Sequence, residues 1–225
     1  MQVENVIVLF QFQKIDYDNK KQKSKTKLFV RLFQTQKGIK LLNSEIYENE
    51  TFKENAEKEI WKNFSQNDFL FFNGTFYDSY ENKLSERIIQ CSSICLLKNG
   101  MSLDDNWFEI SISQNRITLS NQNKTVILDY DKELNNARIV SANVMLLEHH
   151  TQILVDAILK LKNTFIFTDL FLNFLPNTFQ LSNAIDLFNA FFDRPFSRST
   201  FKRRFSNKVQ PLNASDNNNL LYTKT

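Results

Sequence analysis

The spacing of the hydrophobic residues changes near Arg138, and this change limits what the chain can fold into. Before that point the apolar residues form short β-rich runs, such as residues 6–12. After it they recur three or four positions apart, as Leu154, Ile158 and Leu161 do. Short β-rich runs are typical of strands, and the wider spacing is typical of one helix face. A chain of 225 residues can hold one large domain or two modest ones, and the change favours two.

The first region is predicted to contain strands on both sides of a single helix. Apolar residues recur every four positions from Phe52 to Phe64, which indicates an amphipathic helix over residues 51–64. Either Asn49 or Thr51 could be its N-cap. Strand-like segments flank this helix at residues 6–12, 28–33, 69–72, 87–97, 107–112, 116–119 and 125–130. A polar, lysine-rich stretch at residues 14–27 separates the first two segments, which predicts a hairpin with a long turn. This order predicts an α+β fold.

The second region is predicted to be helical up to a short terminal hairpin. Helical spacing covers residues 147–161, 167–174, 181–192 and 198–206. Val209 and Leu212 precede a polar stretch, and the apolar triplet at residues 220–222 follows it, which predicts two short strands around a turn. Asn177 or Thr178, and Ser197, are candidate N-caps. Helices that end in a small hairpin predict a winged helix-turn-helix.

The net charge is +3, and the excess positive charge lies in the second region. From Leu146 to the end there are nine Lys or Arg residues and six Asp or Glu residues, whereas the rest of the chain carries nineteen of each. An asymmetry of this kind indicates a polyanionic partner for the basic region. Double-stranded DNA is the polyanion that a winged helix-turn-helix, predicted above for this region, would bind.

Residues 193–205 contain the candidate recognition helix. Phe201 and Phe205 are four residues apart, so they share one face and can be buried. Cations on the other faces would then project outward, where Arg can contact guanine and Lys can neutralise phosphate. The predicted DNA contacts are Thr178, Ser197, Arg198, Ser199, Thr200, Lys202, Arg203, Arg204 and Lys208.

A solvated, charged helix face is the alternative for this basic segment. Four features favour DNA over that alternative: a preceding helix, a serine N-cap, a short turn and a following hairpin. A helix N-terminus also suits phosphate, because its free amides and dipole favour negative charge.

The composition excludes several other classes of protein. Cys91 and Cys95 are the only cysteines, too few for a zinc site or a disulfide scaffold, so we expect reduced core thiols, no metal and no cofactor. The N-terminal sequence lacks a signal-peptide pattern. No apolar run approaches the ~20 residues of a membrane span. We expect a cytoplasmic protein without a membrane partner.

Four segments resemble Nudix-related transcriptional regulators. LLEHHTQILVDAILKLK, then FQLSNAIDLFNAFFDRPFSRSTFKRRF and the terminal LLY resemble their C-terminal half. LFFNGTFYDSYENKLSERIIQCSSICLL resembles an upstream motif of the family through Gly74, Thr75, Phe76, Asp78 and Arg87. The resemblance covers nearly the whole chain. It implies a Nudix-like α/β sandwich at residues 1–145 that senses a ligand, and a winged helix-turn-helix at residues 146–225.

The metal-binding motif of Nudix enzymes is degenerate here. An active enzyme carries Gly-x5-Glu-x7-Arg-Glu-apolar-x-Glu-Glu, whose carboxylates hold Mg²⁺. In this chain Glu50 and Glu59 remain, but four positions differ, namely Ser44, Lys58, Lys62 and Asn63. A lysine repels Mg²⁺ and an asparagine is a weak ligand, so we expect no catalytic residues and no hydrolysis. Glu50 and Glu59 are expected to be solvated or paired with residues of the helix.

The resemblance implies that the sensed effector is a sugar, a sugar phosphate or an ADP-ribose-type nucleotide. Leu42-Asn43-Ser44 replaces the family's Pro-Gly-Gly, so the ligand class stays open. Arg31, Phe76 and Arg87 are the candidate ligand contacts, and a solvated strand position is the alternative for both arginines.

The family resemblance leads us to expect a homodimer on a palindromic operator, as winged-helix regulators usually read two half-sites. A divergent Nudix pyrophosphohydrolase with an appended winged-helix interaction module is the alternative function, and Lys62 and Asn63 argue against it. A third hypothesis is a winged helix that binds protein, and the outward cations of residues 198–204 argue against that.

Overall fold

The computed structural model describes residues 2–15, 24–65, 68–81, 86–98, 100–131, 133–134, 136–192, 196–216 and 219–224. No helix in these ranges is long and apolar enough to cross a membrane. The first region contains β1 (Gln2–Ile15), β2 (Lys25–Arg31), β3 (Phe33–Thr35), β4 (Gly38–Lys40), β5 (Leu42–Glu45), α1 (Phe52–Phe64), β6 (Phe69–Glu81), β7 (Glu86–Leu97), β8 (Trp107–Ser113), β9 (Arg116–Ser120), β10 (Thr125–Asp131) and β11 (Asn136–Ala142). The second contains α2 (Glu148–Phe167), a 3-10 helix (Leu170–Phe174), β12 (Thr178–Gln180), α3 (Leu181–Asn189), α4 (Arg198–Phe205), β13 (Val209–Asp216) and β14 (Asn219–Lys224).

Within the described ranges, nine strands form one large sheet in the order β11-β10-β9-β8-β2-β1-β7-β6, with β5 also paired to β1. β1 and β7 run parallel, with Val8 opposite Ile94. The other pairs of this sheet are antiparallel. The second region has its own three-stranded sheet in the order β12-β14-β13. The result is a mixed fold with a large sheet and few helices, which fits a Nudix-like domain.

The centre of the large sheet is covered on both faces. Successive side chains of a strand point to opposite faces, so Val8 and Phe10 of β1 join one buried cluster while Ile7 and Leu9 join another. The first cluster contains the buried side of α2, and the second contains Ala56 and Ile60 of α1. Burying one large aliphatic side chain contributes about 1.5–3 kcal/mol. These two helices therefore hold the middle strands between them.

Most of the elements predicted from periodicity are confirmed. Thr51 is the N-cap of α1, and Asn49 is not: Thr51 Oγ1 accepts from Glu54 N at 3.2 Å, and Glu54 Oε2 accepts from Thr51 N at 2.9 Å. The predicted pairing of residues 6–12 with 28–33 occurs in β1 and β2, although part of the predicted turn lies outside the described residues. Cys91 and Cys95 are buried and reduced, as expected.

Other predictions were wrong at their boundaries or missed an element. The helix predicted at 147–161 continues to Phe167, and the one predicted at 167–174 is only a 3-10 helix. Thr178 lies in β12 and caps no helix, since α3 begins after Gln180 without a side-chain cap bond. Five strands, β3, β4, β5, β11 and β12, were not predicted, because each is short or polar and forms only against a partner strand.

A cluster of phenylalanines forms the core of the second region. The ring of Phe171 lies 5.3 Å from that of Phe188, 5.7 Å from that of Phe201 and 4.8 Å from that of Phe205. These contacts are close to edge-on, an arrangement worth about 0.5–1.5 kcal/mol per pair beyond burial. The cluster therefore fixes α3, α4 and the 3-10 helix relative to one another.

Helix α2 belongs to the second region in sequence but packs on the sheet of the first. Leu154 and Ile158 are fully buried in the same cluster as β1. At the far end of the helix, the ring of Phe165 lies 5.6 Å from that of Phe12 on β1. The division into residues 1–145 and 146–225 stays a prediction, and any separation there would expose this face of the sheet.

His150 connects the first turn of α2 to the chain beside β4. Its Nδ1 accepts a hydrogen bond from Leu41 N at 2.8 Å, and its ring is buried. Burial lowers the pKa of His150 to about 3, with the nearby His149 and Lys40 as smaller causes. The ring is therefore neutral in the folded protein, as the acceptor role of Nδ1 requires.

Phe171→Ala should lower the free energy of unfolding by about 3–5 kcal/mol, because it leaves a cavity among three other rings. Phe167→Ala is the matched control: this ring at the end of α2 is 80% exposed, so its loss should change stability by less than about 0.5 kcal/mol. Urea unfolding followed by circular dichroism measures both. Equal losses would contradict the proposed anchoring by Phe171.

Stability should fall by about 2 kcal/mol between pH 7 and pH 5 through His150 alone. The unfolded chain binds a proton there near pH 6.5, whereas the folded chain does so only near pH 3. The contribution is therefore complete above pH 6.5 and is lost progressively as the pH falls toward 3. Urea unfolding at several pH values measures this dependence.

His150→Asn should flatten that pH dependence, because an asparagine oxygen can accept the hydrogen bond from Leu41 without titrating. His149→Asn, at the exposed neighbouring position, should retain the slope of the unsubstituted protein. A slope unchanged in the His150 variant would show that other groups set it.

Candidate nucleic-acid interface

Helix α4 begins with a cluster of three hydroxyl groups. Ser197 Oγ accepts a hydrogen bond from Thr200 N at 3.2 Å, which confirms Ser197 as the N-cap. The same oxygen lies 2.9 Å from both Ser199 Oγ and Thr200 Oγ1. A serine cap stabilises a helix by about 1 kcal/mol. The cap therefore fixes the start of α4 and engages the hydroxyls of its first turn.

The buried and exposed faces of α4 are as the sequence predicted. Phe201 and Phe205 are buried in the phenylalanine cluster. The four cations of the helix are all exposed, namely Arg198, Lys202, Arg203 and Arg204. An exposed helix that carries four cations in eight residues presents a concentrated positive charge.

Three of the basic residues nevertheless have partners within the protein. Lys202 Nζ lies 5.6 Å from the ring centroid of Tyr222 on β14. Arg204 Cζ lies 5.8 Å from the ring centroid of Phe188 on α3. Lys208 forms a 2.9 Å ion pair with Asp169, and this hydrogen bond lowers the pKa of Asp169. Each of these three cations therefore contacts another residue of the second region.

Thr178, the remaining predicted DNA contact, lies on a different element. It is exposed on β12 and pairs with Thr223 of β14. The hairpin of β13 and β14 follows α4, so α4 and this three-stranded sheet are adjacent in the chain and in space. The structure places eight of the nine predicted contacts on α4 or directly beside it, and Thr178 on the sheet.

A buried asparagine organises α1 and the loop before it, the segment in which the sequence predicts a degenerate Nudix motif. Asn55 Nδ2 donates to Glu50 Oε2 at 2.9 Å and to Glu45 O at 3.1 Å. Asn55 Oδ1 accepts from Ser44 Oγ at 2.7 Å and from Asn5 Nδ2 at 3.0 Å. The bond from Asn55 is the largest cause that lowers the pKa of Glu50. These residues form a closed hydrogen-bond network that holds the loop to β1.

Glu50 and Glu59, the glutamates predicted to remain from that motif, are each paired with a lysine of α1. Lys58 Nζ lies 3.4 Å from Glu50 Oε1, and Lys62 Nζ lies 3.8 Å from Glu59 Oε1. Asn63 Nδ2 donates to the backbone oxygen of Glu59. Both glutamates are thus paired with helix residues, as expected. In the described part of the chain, no three His, Cys, Asp or Glu residues lie close enough together to hold a metal ion.

Arg31, a predicted ligand contact, lies in a cage of protein side chains. Its Nη1 donates to Asp104 Oδ1 at 2.7 Å, and its side chain is 11% exposed. The rings of Phe33, Phe64 and Trp107 lie 5.1–5.7 Å from its guanidinium carbon. A cation over aromatic faces is stabilised by about 0.5–2 kcal/mol per contact. These contacts give Arg31 a structural role on the α1 side of the sheet.

The other two predicted ligand contacts lie away from Arg31. Phe76 is 71% exposed on β6, where its ring meets that of Phe52 edge-on at 6.2 Å. Arg87 is exposed near the start of β7. Arg31 lies at the end of β2 and Phe76 on β6, and these strands are three strand spacings apart, roughly 14 Å. Phe76 is paired with Cys91 of β7, and Arg87 lies about 13 Å from Cys91 along that strand. The three residues therefore do not form one cluster.

A cleft of about 870 Å³ lies at the ends of β8–β11, and none of the three predicted ligand contacts lines it. Arg116 and Asp129 form an ion pair on its wall at 2.8 Å, and this bond lowers the pKa of Asp129. Arg138 and Tyr130 also line the cleft. Sequence patterns gave no sign of this cleft, because its lining residues come from the β8–β9 and β10–β11 turns, which are separate in sequence. The Asn55 network was missed for a similar reason: its partners are up to 50 residues apart.

No protein-family model and no curated protein matches the chain. Solved structures do match. A MutT/nudix family protein from Enterococcus faecalis has a TM-score of 0.71 at 13% identity, covering 100% of this chain and 86% of that one. NrtR from Shewanella oneidensis has a TM-score of 0.60 at 11% identity, covering 99% and 94%. The same protein complexed with a 27mer DNA has a TM-score of 0.57 at 12% identity, covering 99% and 93%.

At these identities the matches establish the fold alone. They extend over both regions of the chain, so the likeness is not confined to the large sheet with α1. The Nudix-related fold that the sequence resemblance implied is confirmed. This chain has the fold of Nudix family proteins and of NrtR.

Proposed function

We propose that this chain is a cytoplasmic, DNA-binding transcriptional regulator that contacts DNA through α4. The observation that carries the proposal is the set of four exposed cations on α4, a helix held at the surface by Phe201 and Phe205. Cations on a rigid helix can neutralise phosphates and contact base edges. The fold match to NrtR, which has been crystallised with a 27mer DNA, supports the same partner.

We propose further that the second region is a winged helix-turn-helix. α3 and α4 would be the helix pair, and β13 with β14 would be the wing. The order helix, strand, helix, helix and hairpin supports this assignment, as does the pairing of β14 with β12. Winged-helix regulators usually bind two half-sites, so a homodimer on a palindromic operator belongs to the proposal.

The first region would act as the sensor of a sugar or of an ADP-ribose-type nucleotide. Phe76 supports a ligand role, since a large aromatic ring so exposed on a sheet strand is available for stacking. Arg87 is exposed on the neighbouring strand, whereas Arg31 is engaged by Asp104. Of the three predicted contacts, Phe76 is therefore the best to test.

The sensor would have no hydrolase activity. Magnesium-dependent hydrolysis needs clustered carboxylates, and the two that remain, Glu50 and Glu59, each have a lysine partner. Lys62 stands where a further metal-binding carboxylate would be needed. The polar network around Asn55 favours a role in holding the loop in place.

The chain should bind DNA with marked salt dependence, and α4 should provide the contacts. A fluorescent duplex carrying the region upstream of its own gene serves as the probe in an anisotropy titration. Each phosphate contact contributes about 0.9 to the slope of log affinity against log salt. Combining Arg198→Ala, Lys202→Ala and Arg203→Ala should abolish measurable binding at moderate salt.

The matched control removes three lysines of α1, through Lys53→Ala, Lys58→Ala and Lys62→Ala. These lysines are 57–72% exposed, and their removal changes the net charge equally. This variant should bind like the unsubstituted protein. If both triple variants lose the same affinity, net charge and not α4 governs binding.

Effector binding should raise the melting temperature, because a ligand that binds only the folded state stabilises it. The probes are L-arabinose, ribose 5-phosphate and ADP-ribose, each with Mg²⁺. Phe76→Ala should reduce the shift, and Phe167→Ala, at a similarly exposed ring on α2, should leave it unchanged. A shift retained in Phe76→Ala would remove this residue from the site. Release of AMP from ADP-ribose would contradict the absence of hydrolysis.

A further inference from the structure

The cations of α4 do not point in the same direction. Successive helix residues are about 100° apart around the axis, and Phe201 with Phe205 fixes the inward direction. On that basis Arg203 lies roughly 180° from the midpoint of the two rings. Lys202 and Arg204 lie on the two flanks, each about 100° from Arg203. Arg203 is therefore the most outward cation of the helix.

Contacts within the protein strengthen this division. The ammonium of Lys202 packs over the ring of Tyr222 on β14, and the guanidinium of Arg204 packs over the ring of Phe188 on α3. Each flanking cation thus lies against a neighbouring element, close to where a DNA backbone would pass if α4 entered the major groove. Among the described residues, Arg203 has no such aromatic or ionic contact. Its guanidinium is free to extend along the outward direction.

The remaining groups of the first turn are less suited to contact bases. Ser199 and Thr200 hydroxyls lie at hydrogen-bond distance from Ser197 Oγ, so the cap engages them. Arg198 is exposed, but around the axis it lies on the same side as Phe205, about 20° away. Arg198 therefore lies at the N-terminus of the helix, where its side chain can bind a phosphate. The free backbone amides at that end also favour phosphate binding.

We propose that Arg203 determines the sequence specificity of DNA binding, by donating two hydrogen bonds to one guanine in each half-site. Arg198, Lys202 and Arg204 bind phosphates and contribute affinity without sequence preference. Arginine matches guanine because its planar fork reaches O6 and N7 together, which a lysine ammonium does not reproduce. This inference rests on the proposed function and assigns its specificity to a single side chain.

The test is selection of bound duplexes from a random DNA pool by the full-length chain, followed by sequencing. The unsubstituted protein should enrich a motif with a guanine in each half-site. Arg203→Ala and Arg203→Lys should both lose the preference at that position only. Arg204→Ala, the adjacent arginine on the same helix, should enrich the original motif. On the selected duplex, Arg203→Ala should bind about 5- to 150-fold more weakly for each half-site contact that is lost.

Binding to a duplex of scrambled sequence separates specificity from affinity. Arg203→Lys should bind it like the unsubstituted protein, while Arg204→Ala and Lys202→Ala should weaken binding to both duplexes equally. If Arg203→Ala enriches the original motif, or if Arg204→Ala changes it, the inference is overturned. If the unsubstituted protein binds no DNA, the proposed function fails as well, which is a distinguishable result. Thermal melting of each variant confirms that these exposed substitutions leave the fold intact.

Discussion

The packing of phenylalanine rings around Phe12 is the interaction on which the rest of the structure depends. Phe12 lies near the end of β1, and its ring is 5.6 Å from Phe165 of α2, 5.5 Å from Phe174 of the 3-10 helix and 5.7 Å from Phe191 after α3. One side chain of the sheet thus contacts three segments of the second region. The buried cluster that includes β1 continues through these rings to Tyr222. The two regions therefore share a core.

That shared core determines how α4 is presented. Phe201 and Phe205 are anchored by Phe171 and Phe188, and those rings hold the 3-10 helix and α3 in turn. A short helix of eight residues is marginal in water on its own, so tertiary packing has to maintain it. The same packing fixes the rotation of α4 about its axis. The direction of each cation is consequently a property of the core and not of the charges themselves.

Periodicity predicted the elements that are set locally. The amphipathic spacing in α1, the β1–β2 pairing and the buried pair in α4 were predictable because each depends on neighbours in sequence. The Asn55 network was not, because its partners lie up to 50 residues apart. The full length of β6 and the strand β11 were also missed, although their partners β7 and β10 are neighbours in sequence, because polar residues interrupt their apolar pattern. Arg31 shows the same limit for a site. A strand arginine looks available in sequence, but Asp104 and three rings come from other elements.

Helix α2 is the element through which the two proposed activities would communicate. Asp156 accepts a hydrogen bond from Tyr77 of β6, and Gln152 accepts one from Ala137 N of β11, so α2 is bonded to both edge strands of the large sheet. Its last turns place Phe165 against Phe12 and the second region. A ligand can alter DNA binding only if its contacts differ between two states of the protein. Helix α2 is hydrogen-bonded to the sheet near its start and packs against the phenylalanine rings of the second region near its end. It therefore provides a continuous physical connection for such a change.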